Sequence, residues 1–549
     1  MNKEWNELKD LDTASEHAEK LDALLIDKLD LICPKKVIKL SNKDKHFVTT
    51  EMKKIDRQRN REYLKRGKTI KYYNLKKDFE KVYKSEASKY LNKNIESLSS
   101  CNPGRAFKIL KRLGAQPGTE DEGFILPGHE NLSATESAEQ IAEHFSEISQ
   151  SFPPLCLDSL PQRVKDKLKA VGCAPQVFEH QVYSKILKAK KPRSGTKHDL
   201  PKELIQEFAP EITVPLTKLI NKIFCSGEWP LHWKQENVVP IPKNPSPQSE
   251  DQLRPIALTP FFSKVTEHFV VEWLLEIIGP KLDFRQYGGL KGNSITHYVI
   301  EFINFVLSCQ DSNDQTAVIA SFVDFQKAFM RQNHNKLIEK LSDLDVPGWL
   351  LKIVIGFLKQ RSMVVIYKGS QSSVKQLPGG GPQGTLLALL LFLVLVNDVG
   401  FENQCNNAGE IATSKRKIKT ANELHLKYVD DLTLAEAVKM KSGHPFSQTD
   451  SKVYKQLTRT QSYAEENDMR INFQKTKTMV FNTSKTIDLV PKFVLEDTEI
   501  EVISEMRLLG LQISNDMKWK KNTLSIVKRA SQRLWILRRL KNLSQMPPP

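Results

Sequence analysis

The first hundred or so residues space apolar side chains at helical intervals, with Leu21, Leu24, Leu25, Leu29 and Ile32 followed by Tyr63, Leu64, Phe79 and Tyr83. That period lays one face of a helix against a core. The pattern breaks at Gly114-Ala-Gln-Pro-Gly-Thr-Glu-Asp-Glu-Gly, part of a Pro/Gly/acidic run over 114–128 that predicts a linker or an exposed hairpin. A second helix is predicted from Ser133, where Glu136 completes a capping box, and Ser151-Phe-Pro-Pro closes that unit. From about residue 175 helical stretches alternate with short extended ones, and Pro240, Pro242, Pro245 and Pro247 separate two candidate strands, which is α+β patterning. The clearest strands are 318–324 and 424–435, rich in β-branched or apolar residues and both bearing acid. Residues 386–396 are continuously apolar, about half the ~20 that a membrane span needs, and predict a buried core helix. After Leu508-Leu-Gly-Leu the chain turns basic and helical as far as Pro547-Pro-Pro. These patterns divide it into segments 1–112, 113–174, 175–490 and 491–549.

Two of the predicted strands carry candidate chemistry. In 424–435 the alternation of Leu424, Leu426 and Tyr428, resumed by Leu432 and Leu434, predicts a hairpin with Asp430 and Asp431 in its turn. Adjacent carboxylates repel each other, and a divalent cation offsets that repulsion. By itself Asp-Asp is also an ordinary surface turn. The strand Ala317-Val-Ile-Ala-Ser-Phe-Val-Asp ends in Asp324, a carboxylate at the end of a buried strand that needs a partner. A metal shared with Asp430 would be one, and Asp324, Asp430 and Asp431 together would suffice for two-metal phosphoryl transfer. Between the strands, Leu377-Pro-Gly-Gly-Gly-Pro-Gln-Gly-Thr runs into the apolar helix, letting backbone approach a ligand and presenting Gln383 outward.

Charge adds a polyanion to the picture. The formal net charge is +17, yet 53–93 holds 15 Lys/Arg against 5 Asp/Glu, and 517–541 holds nine basic residues and no acidic ones. The rest of the chain is close to neutral, so two basic flanks bracket a neutral middle. Seven scattered cysteines without a Cys-x-x-Cys pair predict reduced thiols and no zinc knuckle. The mixed charge of the first ten residues predicts no secretory signal, and the chain is expected to be intracellular, in nucleus or cytoplasm, without a membrane span.

The ordered set Phe322-Val-Asp-Phe-Gln-Lys-Ala-Phe329, Gly380-Gly-Pro-Gln-Gly-Thr385 and Tyr428-Val-Asp-Asp431 resembles the polymerase motifs of reverse transcriptases. Val238-Val-Pro-Ile-Pro-Lys243 and Leu253-Arg-Pro-Ile-Ala-Leu258 resemble the family's fingers strands, and Gln286-Tyr-Gly-Gly-Leu-Lys-Gly-Asn-Ser294 the segment before its first catalytic strand. Asn472-Phe-Gln-Lys-Thr-Lys-Thr and Leu508-Leu-Gly-Leu-Gln-Ile-Ser resemble the family's segments after the catalytic hairpin. The resemblance covers about 180–545, in the style of non-LTR (LINE-like) retrotransposons.

The resemblance implies a right-hand polymerase, with fingers and palm over 175–490, a basic helical thumb over 491–549, a basic helical extension over 1–112, and a linker and short helix over 113–174. It implies an RNA-directed DNA polymerase using two Mg²⁺ ions (or Mn²⁺), an RNA template, a DNA primer and dNTPs. Asp324, Asp430, Asp431 and the backbone carbonyl of Phe325 would hold metal. Lys243 and Arg254 would neutralise the triphosphate, Gln383, Gly384 and Tyr428 would line the nascent base pair, and Lys475 would protonate departing pyrophosphate. Phe329 would clash with a ribose 2′-hydroxyl, and Lys528, Arg529 and Arg533 would hold duplex backbone from a helix over 519–540 whose apolar side includes Leu524, Val527, Leu534, Leu537 and Leu540. Trp535 on that helix could stack on the core or on a base, the core being the commoner fate. Tyr63, Tyr72, Tyr73 and Tyr83 among the basic residues 53–93 would add stacking on template RNA.

Met330 stands where the family commonly has Asp, and Leu387 and Ala388 where Ser/Gly and Pro are frequent. With no zinc knuckle, ribonuclease H cluster or endonuclease pattern, the chain is expected to be part of a larger open reading frame, and an endonuclease or other retroelement product supplied separately is an expected partner. The rival expectation is a truncated, inactive remnant that binds nucleic acid without copying it. A viral-type RNA polymerase is disfavoured by Phe329 and by Tyr-Val before the paired acids.

Overall fold

The computed structural model describes residues 4–8, 11–32, 47–99, 124–170, 172–189, 200, 202–311, 316–400, 422–439, 447–481 and 492–543. Residues 114–123 of the expected linker, and the division points near 112 and 490, lie outside them. The chain forms two compact units: Met1–Pro34 with Phe124–Leu509 and Ser514–Met517, and Lys35–Gly123 with Gly510–Ile513 and Lys518–Pro549.

The first unit is α+β and carries two five-stranded sheets. One joins β1 (Gln235–Pro242), β2 (Leu253–Leu258), β4 (Arg361–Tyr367), β5 (Ser370–Gln371) and β6 (Lys375–Leu377) in the order β2-β1-β4-β5, with β6 also on β4. β1 runs antiparallel to β2 and parallel to β4. The two proline-flanked strands expected from sequence are thus neighbours. The helix Ala134–Gln150 packs on this sheet, its N-terminus closed by the reciprocal Ser133–Glu136 capping box.

The other sheet contains β3 (Thr316–Asp324), β7 (Glu423–Tyr428), β8 (Asp431–Lys439) and β9 (Lys477–Phe481), in the order Glu501–Val502, β9, β3, β8, β7. β3 is central, flanked by antiparallel β8 and β9, and its first eight residues are all buried. A strand covered on both faces must be apolar throughout, which is why Ala317-Val-Ile-Ala-Ser-Phe-Val shows no alternation. The 386–396 run forms the helix Leu386–Leu395, mostly buried, with Thr385 accepting the Ala388 N–H as its cap. Among the described residues no helix is long and apolar enough to cross a membrane.

Residues 4–32, grouped by sequence with the basic extension, pack instead into this unit. Leu8, Ala14, Ala18 and Leu21 join a core that includes Leu216, Ile220, Leu350 and Leu391. Helical spacing correctly marks their apolar face but cannot say which core it meets.

In the second unit, Thr50–Arg66 and Ile70–Ser99 form a helical hairpin. Thr49 caps the first helix, Tyr63 and Tyr72 lie 5.6 Å apart, and the Arg59 guanidinium sits 5.2 Å over Phe79. Lys520–Leu543 forms the expected basic helix. Trp535 is 59% exposed there, not in a core, and Leu524, Val527 and Leu534 are exposed as well. The side chains of Leu537, Arg539 and Leu540 lie outside the described residues.

Candidate active site

Asp324 and Asp431 stand directly opposite each other, the last residue of β3 paired with the first of β8. Side chains so paired share a sheet face with Cβ atoms ~5 Å apart, and like charges placed there repel. Asp430 adjoins them from the turn. The hairpin closes at Tyr428↔Asp431, so the turn proper is Val429-Asp430, and Asp431 is a strand residue, not the turn residue that alternation predicts. Two-residue hairpin loops favour positive φ at the first central position, usually glycine. Val429 takes that role with φ 59°, and a valine there hides the turn type from sequence reading.

The three carboxyls report their crowding. Burial raises the Asp430 carboxyl above its ordinary range, the Asp324 charge adds to that, and Arg254 opposes it. Asp431 keeps an accessible edge, yet burial in the cleft, then Asp430, then Asp324 push it to about 6. Asp324 is also raised by burial, against the pull of Lys475 and Lys243. An all-oxygen set of mutually repelling carboxylates suits a hard divalent cation. Among the described residues no group of three or more acidic, His or Cys side chains has the geometry of a formed metal site.

Basic groups ring the acids. Lys475 Nζ lies 3.8 Å from Asp324 Oδ2, held by a turn in which Asn472 donates its N–H to the Asp324 carbonyl at 2.7 Å. The bridge between Phe325 and Ile471 uses the Asp324 carbonyl and the Gln326 N–H, which leaves the Phe325 carbonyl outside the ladder. Lys243 donates to the Asp251 carbonyl at 2.7 Å, and burial, then Lys475 and Arg254, push its ammonium below the ordinary lysine range. Lys243 and Arg254 lie next to each other at the end of the β1–β2 pair, where Ile241 faces Arg254. Lys327, not singled out from sequence, joins them with an ion pair to Asp251 at 2.7 Å.

The Gly-rich loop meets this cluster from the fingers side. The Gln383 carbonyl accepts the Ala257 N–H at 2.9 Å, fastening the loop to β2, and a Cβ on Gly384 would come within 3.3 Å of the Ala257 oxygen. Gly380 and Gly381 donate to the carbonyls of Gln332 and Phe329 at 2.9 and 2.8 Å. Phe329 stacks on Phe392 at 5.0 Å and lines one cavity with Gln383, Met330 and Arg361. Tyr428 packs edge-on against Tyr298. The first unit therefore gathers Asp324, Phe325, Asp430, Asp431, Lys475, Lys243, Arg254, Phe329, Gln383, Gly384 and Tyr428 around one sheet end and loop. Lys528, Arg529 and Arg533 lie exposed on Lys520–Leu543 in the second unit.

Two features escape sequence reading. Alternation points Lys427 outward, but it is buried, pairing with Asp283 at 2.8 Å and donating to the Asn397 carbonyl at 2.7 Å. Its long stem crosses the apolar layer to reach a charge partner 144 positions away. Gln286 is likewise buried, against the catalytic turn. The pair of glycines after it, Gly288-Gly289, is the available signal of a close backbone approach.

Residues 241–513 match the family described as Reverse transcriptase (RNA-dependent DNA polymerase). The chain is 25% identical over 330 residues to the Drosophila melanogaster protein named Probable RNA-directed DNA polymerase from transposon BS, covering 60% of this chain and 34% of that one. It is 27% identical over 269 residues to the RNA-directed DNA polymerase from mobile element jockey of the same fly, covering 48% and 27%. The chain thus spans about a third or less of the length of these relatives. Among solved structures, telomerase from Candida tropicalis in complex with a fragment of telomeric RNA aligns at 13% identity and TM-score 0.35, over 66% of this chain and 62% of that one. Residues 241–513, which carry the paired acids and the Gly-rich loop, are thus a reverse transcriptase domain, similar to those of these non-LTR, LINE-like retrotransposon polymerases.

Proposed function

We propose that this chain is an RNA-directed DNA polymerase of a non-LTR retrotransposon, extending a DNA primer on an RNA template with dNTPs. The observation that carries the reading is the direct opposition of Asp324 and Asp431 across β3 and β8, with Asp430 in the adjoining turn. Members of this family generally use divalent metal ions. Two Mg²⁺ ions, or Mn²⁺ in their place, held by Asp324, Asp430, Asp431 and the Phe325 carbonyl, would lower the pKa of the primer 3′-hydroxyl and neutralise the leaving pyrophosphate.

The chain's own residues supply the rest. Lys243 and Arg254 face the acids with positive charge suited to a triphosphate. Lys475, close to Asp324, would give a proton to the pyrophosphate as the bond between the α-phosphorus and its bridging oxygen breaks and the 3′-oxygen bond forms. Phe329, backed by Phe392, narrows the space beside Gln383 against a 2′-hydroxyl. The exposed basic residues of Lys520–Leu543 and of Thr50–Arg66 suit phosphate backbone. Nuclear or cytoplasmic residence and an endonuclease supplied separately complete the proposal.

The test is extension of oligo(dT) on poly(rA) with dTTP and Mg²⁺, beside Asp430→Ala. Extension by the wild-type chain and none by the variant is expected. Extension that survives the substitution removes the assigned site, and binding of primer–template with no extension by either protein supports the inactive, binding-only remnant instead.

A further inference from the structure

Val429 is a β-branched residue at φ 59°, a conformation that valine rarely adopts without support from outside the turn. That support is visible. The Gln286 side-chain oxygen accepts the N–H of Val429 at 2.9 Å and, at the same time, the N–H of Gly288 at 2.9 Å. Two backbone donors converging on one atom fix which end of the amide points at the turn. Gln286 is itself held, since Asn293 donates to its carbonyl at 2.9 Å and the residue is 3% exposed. Around it the backbone is stitched to β7, with Tyr287 donating to the Lys427 carbonyl at 2.8 Å and Lys427 to the Arg285 carbonyl at 2.9 Å.

Gly288 supplies the other half of the clamp. A Cβ there would lie 2.7 Å from both the Val429 nitrogen and its Cγ2, so the turn rests on glycine backbone with no room for a side chain. Its φ is not positive, so the requirement is steric and not conformational. The acceptor must also be neutral for a reason of charge. A carboxylate could take the same two hydrogen bonds, but it would add a negative group beside Asp430 and Asp431.

We propose that Gln286 is a positioning residue of the active site: with Gly288 it holds the Val429-Asp430 turn in the shape that sets Asp430 beside Asp431 and Asp324. This rests on the polymerase reading for its catalytic consequence but not for its geometry. It touches neither substrate nor reacting atoms, and it acts through the turn.

Gln286→Met removes the acceptor at nearly constant volume, Gly288→Ala pushes on Val429 sterically, and Gln286→Glu keeps the acceptor. Full-chain proteins are compared in primer extension on poly(rA)/oligo(dT) and in amide exchange at Val429. Displacing a carboxylate by a fraction of an ångström to ~1 Å lowers kcat by ~10²-fold or less. The expected result is a kcat fall of roughly 10–100-fold for Gln286→Met and Gly288→Ala, with dTTP KM changed by less than about threefold and half-saturating Mg²⁺ raised. Val429 exchange accelerates in Gln286→Met and stays slow in Gln286→Glu. Wild-type kcat in both Gln286→Met and Gly288→Ala, while Asp430→Ala is inactive, overturns the proposal and leaves the polymerase reading intact. If the wild-type chain itself does not extend, the polymerase reading falls, and exchange still decides the clamp: unchanged Val429 exchange in Gln286→Met removes it, and faster exchange upholds it.

Discussion

Replacing Lys427 by methionine tests whether the catalytic hairpin is anchored from beneath by charge. The Lys427 and Asp283 side chains are 3% and 0% exposed and lie 2.8 Å apart. Removing one member of such a buried pair costs ~3–5 kcal/mol, because the other charge is left without compensation. Arg285 still pairs with Asp283 at 2.9 Å, which puts the expected loss at the lower end, ~3 kcal/mol. For a unit of roughly 400 residues the unfolding entropy is ~0.8 kcal/mol per kelvin, so the melting temperature should fall by ~4 °C. The second outcome is functional: Lys427 precedes Tyr428 in β7 and donates to the Asn397 carbonyl, so the hairpin should shift and polymerisation slow. Scanning calorimetry at one fixed scan rate, on wild type, Lys427→Met, Asp283→Asn and the double variant, gives the coupling directly. A double variant more stable than the sum of the single losses is expected. A Lys427→Met melting temperature within ~1 °C of wild type, or strictly additive losses, would refute the anchoring.

Two more outcomes are expected in the same unit. Burial raises the Glu267 carboxyl from 4.5 to about 7, and one of its oxygens accepts the Leu387 N–H at the start of the apolar helix. A raised carboxyl favours the fold below its unfolded pKa and loses that contribution as pH rises through its folded pKa. Glu267→Gln should therefore stabilise the protein by up to ~3 kcal/mol at pH 8, with the advantage shrinking to less than ~1 kcal/mol by pH 5; melting curves at both pH values check it. Phe329→Val, which removes the ring stacked on Phe392, should lower the dNTP-over-rNTP ratio of kcat/KM by ~10–100-fold, read in single-nucleotide extension.

The sequence is most informative where local pattern and chemistry coincide. The apolar and β-branched run before Asp324 reads as a strand and is one, at the centre of its sheet, and the Ser133–Glu136 box names its own helix start. Alternation misplaces the turn by one residue because Val429 takes a conformation usually left to glycine. Lys427–Asp283, Arg361–Glu236 and Gln286–Val429 are out of reach for a different reason. Each joins residues more than a hundred positions apart, and nothing in the neighbouring sequence marks a buried polar or charged group that its partner makes tolerable. The same holds for residues 4–32, whose apolar face is legible and whose core is not.

On the proposed mechanism, the carboxyls of residues 324, 430 and 431 jointly hold the ions that drive nucleotide transfer. Mn²⁺ binding measured by electron paramagnetic resonance, with primer–template and a non-hydrolysable dNTP analogue present, counts those ions in the wild-type chain and in Asp324→Asn. Two bound ions in the wild type, reduced in number or markedly weakened by the substitution, is the predicted result. Equal occupancy and affinity in both proteins would contradict it.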